Sequence, residues 1–145
     1  MGAYEDRKEL DKWYRPGPGG WPVFQAKEIN GSTGIRTPGY VAMPARREPV
    51  NGRIHDRDLW QYDLTDAQYE SLIKLSATLC RVLPRIKPDA PRNRDGTLRS
   101  GVLTDKELAR FSGIVGHYHR TESKVDPGPA MNWKRLLDGI SRIRW

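Results

Sequence analysis

The sequence predicts an α/β fold, a mixed β-sheet flanked by helices, and three observations carry that expectation. A helix with a capping box opens at Thr65 and keeps an apolar face as far as Leu83. A short apolar run, Gly113-Ile114-Val115-Gly116, ends at His117 and reads as a buried strand. A final helix, from about Asn132 to Ser141, gathers Trp133, Leu136, Leu137 and Ile140 on one side. One-sided helices need an apolar layer to cover, so they are expected to pack on a small sheet. A chain of 145 residues, 37% of them hydrophobic, suits one domain with its own core.

Taken in order, residues 5–14 predict a short helix with Leu10, Trp13 and Tyr14 on one face. Arg15 to Pro22 then breaks regular structure. Residues 15–52 hold seven of the 14 glycines and six of the 11 prolines, so a long irregular segment is expected over about 15–62. Short strands fit near Val23–Phe24 and Tyr40–Ala42. In the helix from Thr65, Gln68 stands where it can reach back to the cap. Tyr69, Leu72, Ile73, Ser76, Leu79, Cys80 and Leu83 follow the helical rhythm of a buried face, and Pro84 ends it. A basic loop occupies 84–101, and a second capping box, Thr104 to Glu107, starts a short helix to about Phe111.

Several function classes fall away at once. No apolar run approaches the ~20 residues of a membrane span. A single cysteine, Cys80, excludes an internal disulfide framework and a multi-cysteine zinc module. Asp6 excludes a myristoylation motif, and the first ten residues contain no apolar stretch of the signal-peptide kind. The net charge of +7 favours an anionic partner. Nucleic acid is not the expected one, because no helix-turn-helix, RNP-like or zinc-finger pattern accompanies the charge.

The chemistry-bearing residues gather late in the chain. His117 ends the apolar run, and nine residues on Asp126 enters a Pro-Gly-Pro bend. Imidazole and carboxylate together make a usual pair of zinc ligands, and a catalytic zinc takes three protein ligands plus water. On a continued strand, His119 would point the same way as His117.

The run G-I-V-G-H-Y-H-R-T-E-S-K-V-D-P-G-P-A-M-N-W, residues 113–133, resembles the C-terminal signature of zinc-dependent N-acetylmuramoyl-L-alanine amidases, which share a fold with peptidoglycan recognition proteins. That signature is a Gly-His at a strand end, then Lys-x-Asp-Pro-Gly-Pro, an aromatic-bearing segment and a last helix. The helix of 65–83 resembles the one that precedes it, so the likeness covers roughly 60–145. It implies zinc as cofactor, peptidoglycan or a muropeptide as substrate, and hydrolysis of the lactyl–L-alanine amide bond. It implies His117 and Asp126 as metal ligands and Lys124 as the catalytic cation facing the oxyanion. His119, Trp60 and Tyr62 are candidates to face substrate, and Trp21 and Tyr40 are further aromatics suited to stacking on sugars. The cell wall or periplasm would be the place of action.

The family's first zinc histidine and its strand-borne acid lie upstream of this region, and nothing comparable precedes the loop here. Met1-Gly2-Ala3-Tyr4 resembles the residues just after that strand, so the chain is expected to correspond to the C-terminal portion of an amidase. His55 or His119 would then be the only imidazoles left to complete the site. The alternative is a non-catalytic peptidoglycan-binding module of the same fold.

Overall fold

The protein is described here from a computed structural model, which covers residues 2–26 and 36–143. It combines helices with small antiparallel sheets. Strands β1 (Tyr14–Pro16) and β2 (Pro22–Phe24) form one hairpin, and β3 (Val50–Ile54) and β4 (Arg57–Gln61) form another. The helices are α1 (Asp66–Val82), α2 (Asp105–Arg110) and α3 (Trp133–Arg142). The expected mixed sheet is therefore replaced, among the described residues, by two separate antiparallel pairs.

The β3–β4 hairpin corrects the expectation of an irregular segment over 15–62, of which residues 27–35 lie outside the described residues. Its register pairs Val50 with Gln61 and Ile54 with Arg57, leaving His55 and Asp56 as a two-residue turn. His55 accepts the left-handed backbone such a turn demands, with φ of 55°. Ile54 and Leu59 point into the core, Leu59 completely buried. Tyr4 extends the hairpin through two backbone hydrogen bonds with Trp60, of 3.0 and 2.7 Å. Upstream, the helix expected over 5–14 is a 3-10 helix, Arg7–Lys12, that buries Leu10 and gives way to β1 at Tyr14. Tyr40–Ala42 forms no strand; the Tyr40 amide donates to the Thr37 carbonyl at 3.2 Å, and the Ala42 carbonyl accepts from the Phe24 amide at 2.9 Å.

Helix α1 starts as predicted. The Thr65 hydroxyl accepts from the Gln68 amide, and the Gln68 side chain accepts from the Thr65 amide. Its buried face runs through Tyr69, Ser76 and Ala77, with Leu72, Ile73 and Cys80 half-buried against the core. Leu79 and Leu83 are 39% and 50% exposed, which corrects their placement in the buried stripe. Length explains this. Helix α1 has 17 residues and α3 has 10, about 26 Å against about 15 Å at the helical rise. The two pack closely where Gly139 lies against Ile73, and a side chain there would collide. The last turn of α1 then reaches past its cover.

The run 113–117 is not a strand. Among the described residues it meets no ladder partner; Ile114 donates to the Asp89 carbonyl at 2.8 Å. It then curls into a 3-10 turn, His117–His119. The core gathers Ile54, Leu59, Ala77, Tyr118, Leu136 and Ile140, with the Trp133 indole donating to the Tyr118 hydroxyl at 3.0 Å. No helix among the described residues is long and apolar enough to cross a membrane.

One buried polar joint ties these parts together. Asp63, just beyond β4, is 1% exposed. Its carboxylate accepts from the Tyr69 hydroxyl of α1 (2.6 Å), the Leu64 amide (2.8 Å) and the Arg46 guanidinium (2.6 Å). Arg46 also donates to the Ala130 carbonyl, and the Asn132 amide, at the cap of α3, donates to the Tyr69 hydroxyl at 2.8 Å. Burial raises the pKa of the Tyr69 hydroxyl and its bond to Asp63 acts the same way, so it remains a donor.

Exposure separates two leucines that the sequence puts on similar faces. Leu136→Ala should lower unfolding stability by about 2–5 kcal/mol in urea titrations, the range for emptying a core site. Leu79→Ala should cost less than about 1 kcal/mol, because much less of the side chain leaves water.

Candidate functional site

The site is built from two close approaches of backbone. Gly116 lies so near the bend that a Cβ on it would stand 2.7 Å from Pro127 Cδ. Glycine is the residue that lets the turn bearing His117 abut the bend bearing Asp126. The Tyr118 amide then donates to the Asp126 carbonyl at 3.1 Å. With the two segments pinned, His117 Nδ1 comes 3.2 Å from Asp126 Oδ2.

The bend itself, Asp126-Pro127-Gly128-Pro129, rests on the β3–β4 hairpin. Gln61 donates from Nε2 to the Pro127 carbonyl and accepts at Oε1 from the Ala130 amide, both at 3.0 Å. Gly128 has φ of +90°, and a Cβ there would run into the Gln61 amide. Gly52 of β3 leaves room for Pro129, whose Cβ would be 2.7 Å from a Cβ at 52. Gln61 is thus the positioning residue of the bend, and the sequence reading missed it. Its signal was a polar residue two places from Leu59, on the strand face turned inward.

His117 and Asp126 remain open to solvent, their side chains 48% and 65% exposed. At that exposure such a contact contributes little to stability. The separation is also close to the edge of a zinc tetrahedron, about 3.3 Å when the metal–ligand bonds are about 2.0–2.1 Å. Two donors of suitable chemistry therefore stand at a metal-compatible distance. A third does not join them: among the described residues no group of three or more His, Cys, Asp or Glu side chains is placed to hold a metal ion.

The other imidazoles are committed elsewhere. His119 is 1% exposed; its Nδ1 accepts from the Gly116 amide and its Nε2 donates to the Arg99 carbonyl, both at 2.8 Å. Successive residues of a 3-10 turn step round by about a third of a circle, so His117 and His119 diverge instead of sharing a face. His119 consequently braces Gly116 from within the core, with both ring nitrogens engaged by backbone. His55 uses Nε2 to donate to the Lys124 carbonyl at 3.0 Å. Lys124 is exposed, and its ammonium makes no hydrogen bond or ion pair among the described residues.

The aromatic candidates make no ring contact or hydrogen bond to His117 or Asp126. Trp60 is half-buried with the Arg7 guanidinium 5.4 Å from its ring centre. Tyr62 packs on Tyr14 with ring centres 4.2 Å apart. Trp21 donates its indole N–H to the Pro44 carbonyl at 2.9 Å, and Tyr40 its hydroxyl to Thr65 at 3.2 Å.

Compared with protein-family models, with curated proteins and with solved structures, the chain matches none.

Burial holds the His119 pKa below its ordinary 6.5, so the folded state favours the neutral ring. Its contribution to stability is complete above pH 6.5 and is lost as pH falls below that value, since the unfolded chain then binds the proton first. The urea midpoint should accordingly fall between pH 7.5 and pH 5.5, and His119→Gln should flatten that part of the profile. An unchanged pH dependence in the variant would show that another group is responsible.

Proposed function

We propose that this chain carries part of the site of a zinc-dependent N-acetylmuramoyl-L-alanine amidase, cleaving the lactyl–L-alanine amide bond of peptidoglycan or muropeptides. The observation that carries the reading is the exposed His117–Asp126 pair, two donors 3.2 Å apart on a braced bend. The Gly-His and Lys-x-Asp-Pro-Gly-Pro residues that resemble the amidase signature are the same residues that build this pair.

In the proposed reaction the elements of water add across the amide, the carbonyl–nitrogen bond breaks, and a lactyl carboxylate and the free amine of an L-alanyl peptide result. His117 and Asp126 would hold two of the metal's coordination positions, and the third donor is not among the described residues. Zinc, when bound, supplies a Lewis acid and lowers the pKa of a bound water to about 7. Lys124, with an ammonium engaged by no other described group, would stabilise negative charge developing on the carbonyl oxygen. Gln61 fixes the bend that carries Asp126.

A second reading, a non-catalytic peptidoglycan-binding module, is favoured by that two-donor set. Zinc stoichiometry and release of L-alanyl peptides from purified peptidoglycan, measured on the chain alone, where little turnover is expected, and on the chain supplied with a segment that carries the third donor, separate the two. The amidase reading expects zinc binding that weakens by about 100-fold or more in His117→Ala and in Asp126→Ala. It also expects Lys124→Ala to keep zinc while losing about 10²–10³ in kcat. Peptidoglycan binding without zinc and without peptide release would establish the module instead.

A further inference from the structure

His119 is hydrogen-bonded to two residues that line a second concavity. Its Nε2 is bonded to the Arg99 carbonyl, and its own carbonyl accepts from the Leu103 amide at 2.8 Å. Arg99 and Leu103 both line a cleft of about 420 Å3 between residues 89–92 and α2. This volume lies within the range of small-molecule sites. Its apolar lining includes Ala90 and Leu103, 1% and 6% exposed, and Phe111.

Three arginines and two carboxylates share the walls, and the carboxylates are largely occupied. Glu107 accepts at one oxygen from the Thr104 amide and hydroxyl and at the other from Arg99. Those bonds, the Thr104 amide first, hold its carboxyl down to about 2, so it stays ionised. Asp89 Oδ1 accepts from the Ala90 amide and from Arg92. Arg110 is left over: its guanidinium has no hydrogen bond or ion pair among the described residues.

An inorganic anion would satisfy Arg110 and leave the half-buried Phe111 ring, the part of the apolar lining still open to water, uncovered. A neutral apolar molecule would cover the lining and leave the guanidinium unused. A carboxylate on an organic body does both, and a guanidinium matches a carboxylate through two parallel hydrogen bonds. We infer that this cleft binds the terminal carboxylate of a short peptide, with Arg110 as its anchor and the Phe111 ring, backed by the buried Ala90 and Leu103, against the adjoining residue. The choice of a peptide, though not of a carboxylate, rests on the amidase reading, in which the released product ends in such a group.

The test is a titration of the whole chain with N-acetyl-alanyl-alanine, its C-terminal amide and inorganic phosphate, followed by amide chemical shifts, with no metal added. The acid should bind saturably and shift signals within residues 89–111. The amide should bind at least about 10-fold more weakly, the scale of one charge-assisted pair. Arg110→Gln should weaken the acid by a similar factor and erase its advantage over the amide. Equal binding of acid and amide, phosphate binding as tightly as the acid, an unaffected Arg110→Gln, or no shifts in 89–111 would each overturn the inference. Hydrolysis plays no part in the readout, so failure of the amidase reading and failure of this cleft are told apart.

Discussion

A carboxylate withdrawn from water must be matched by donors, and Asp63 is matched by three that come from different parts of the chain. Arg46 arrives from the loop before β3, Tyr69 from α1, and the Leu64 amide from the link between hairpin and helix. Through Arg46 and Tyr69 the same joint reaches Ala130 and Asn132, where the bend passes into α3. Removing one partner would leave a buried charge or hydroxyl unsatisfied, which is far costlier than losing an exposed pair. Hairpin, first helix, bend and last helix are therefore fixed relative to one another by a single connected network.

Gln61 extends that constraint to the chemistry. It sits two residues before Asp63, so the strand period turns both side chains to the same inner face. Asp63 holds the far end of the bend and Gln61 its middle, while Tyr118 holds Asp126 at the near end. The two histidines of the His-Tyr-His turn show what this arrangement separates. His119 has both ring nitrogens engaged inside the protein, whereas the His117 side chain is 48% exposed and its ring meets Asp126 through Nδ1. One imidazole maintains the turn, and the other stands half open at the surface.

How much of this could be read in the sequence depended on how local the cause was. Both capping boxes and the extent of α1 and α3 follow from short-range rules, and the structure has them. The approach of His117 to Asp126 was legible through the resemblance of 113–133 to the amidase signature, to which the residues alone added a nine-residue spacing and a proline-braced bend. The strand expected at 113–117 was not there, since an apolar run becomes a strand only beside a partner, and Asp89 offers it one hydrogen bond. The β3–β4 hairpin was hidden because its turn is His-Asp in place of a glycine-bearing pair, and charged residues break its apolar alternation. Leu79 and Leu83 lay on an apolar stripe longer than the ten-residue α3 covers. The role of Gln61 depends on contacts across 66 and 69 residues, and no local pattern announces such a partner.

Amide hydrogen exchange on the Gln61→Ala variant tests most directly whether the hairpin holds the His117–Asp126 pair in place. The account expects the Tyr118 and Ala130 amides, which report the two ends of the bend, to lose protection while the interior amides of α3 keep theirs. Unchanged protection at both amides would show that the bend stands without Gln61, and would contradict the account.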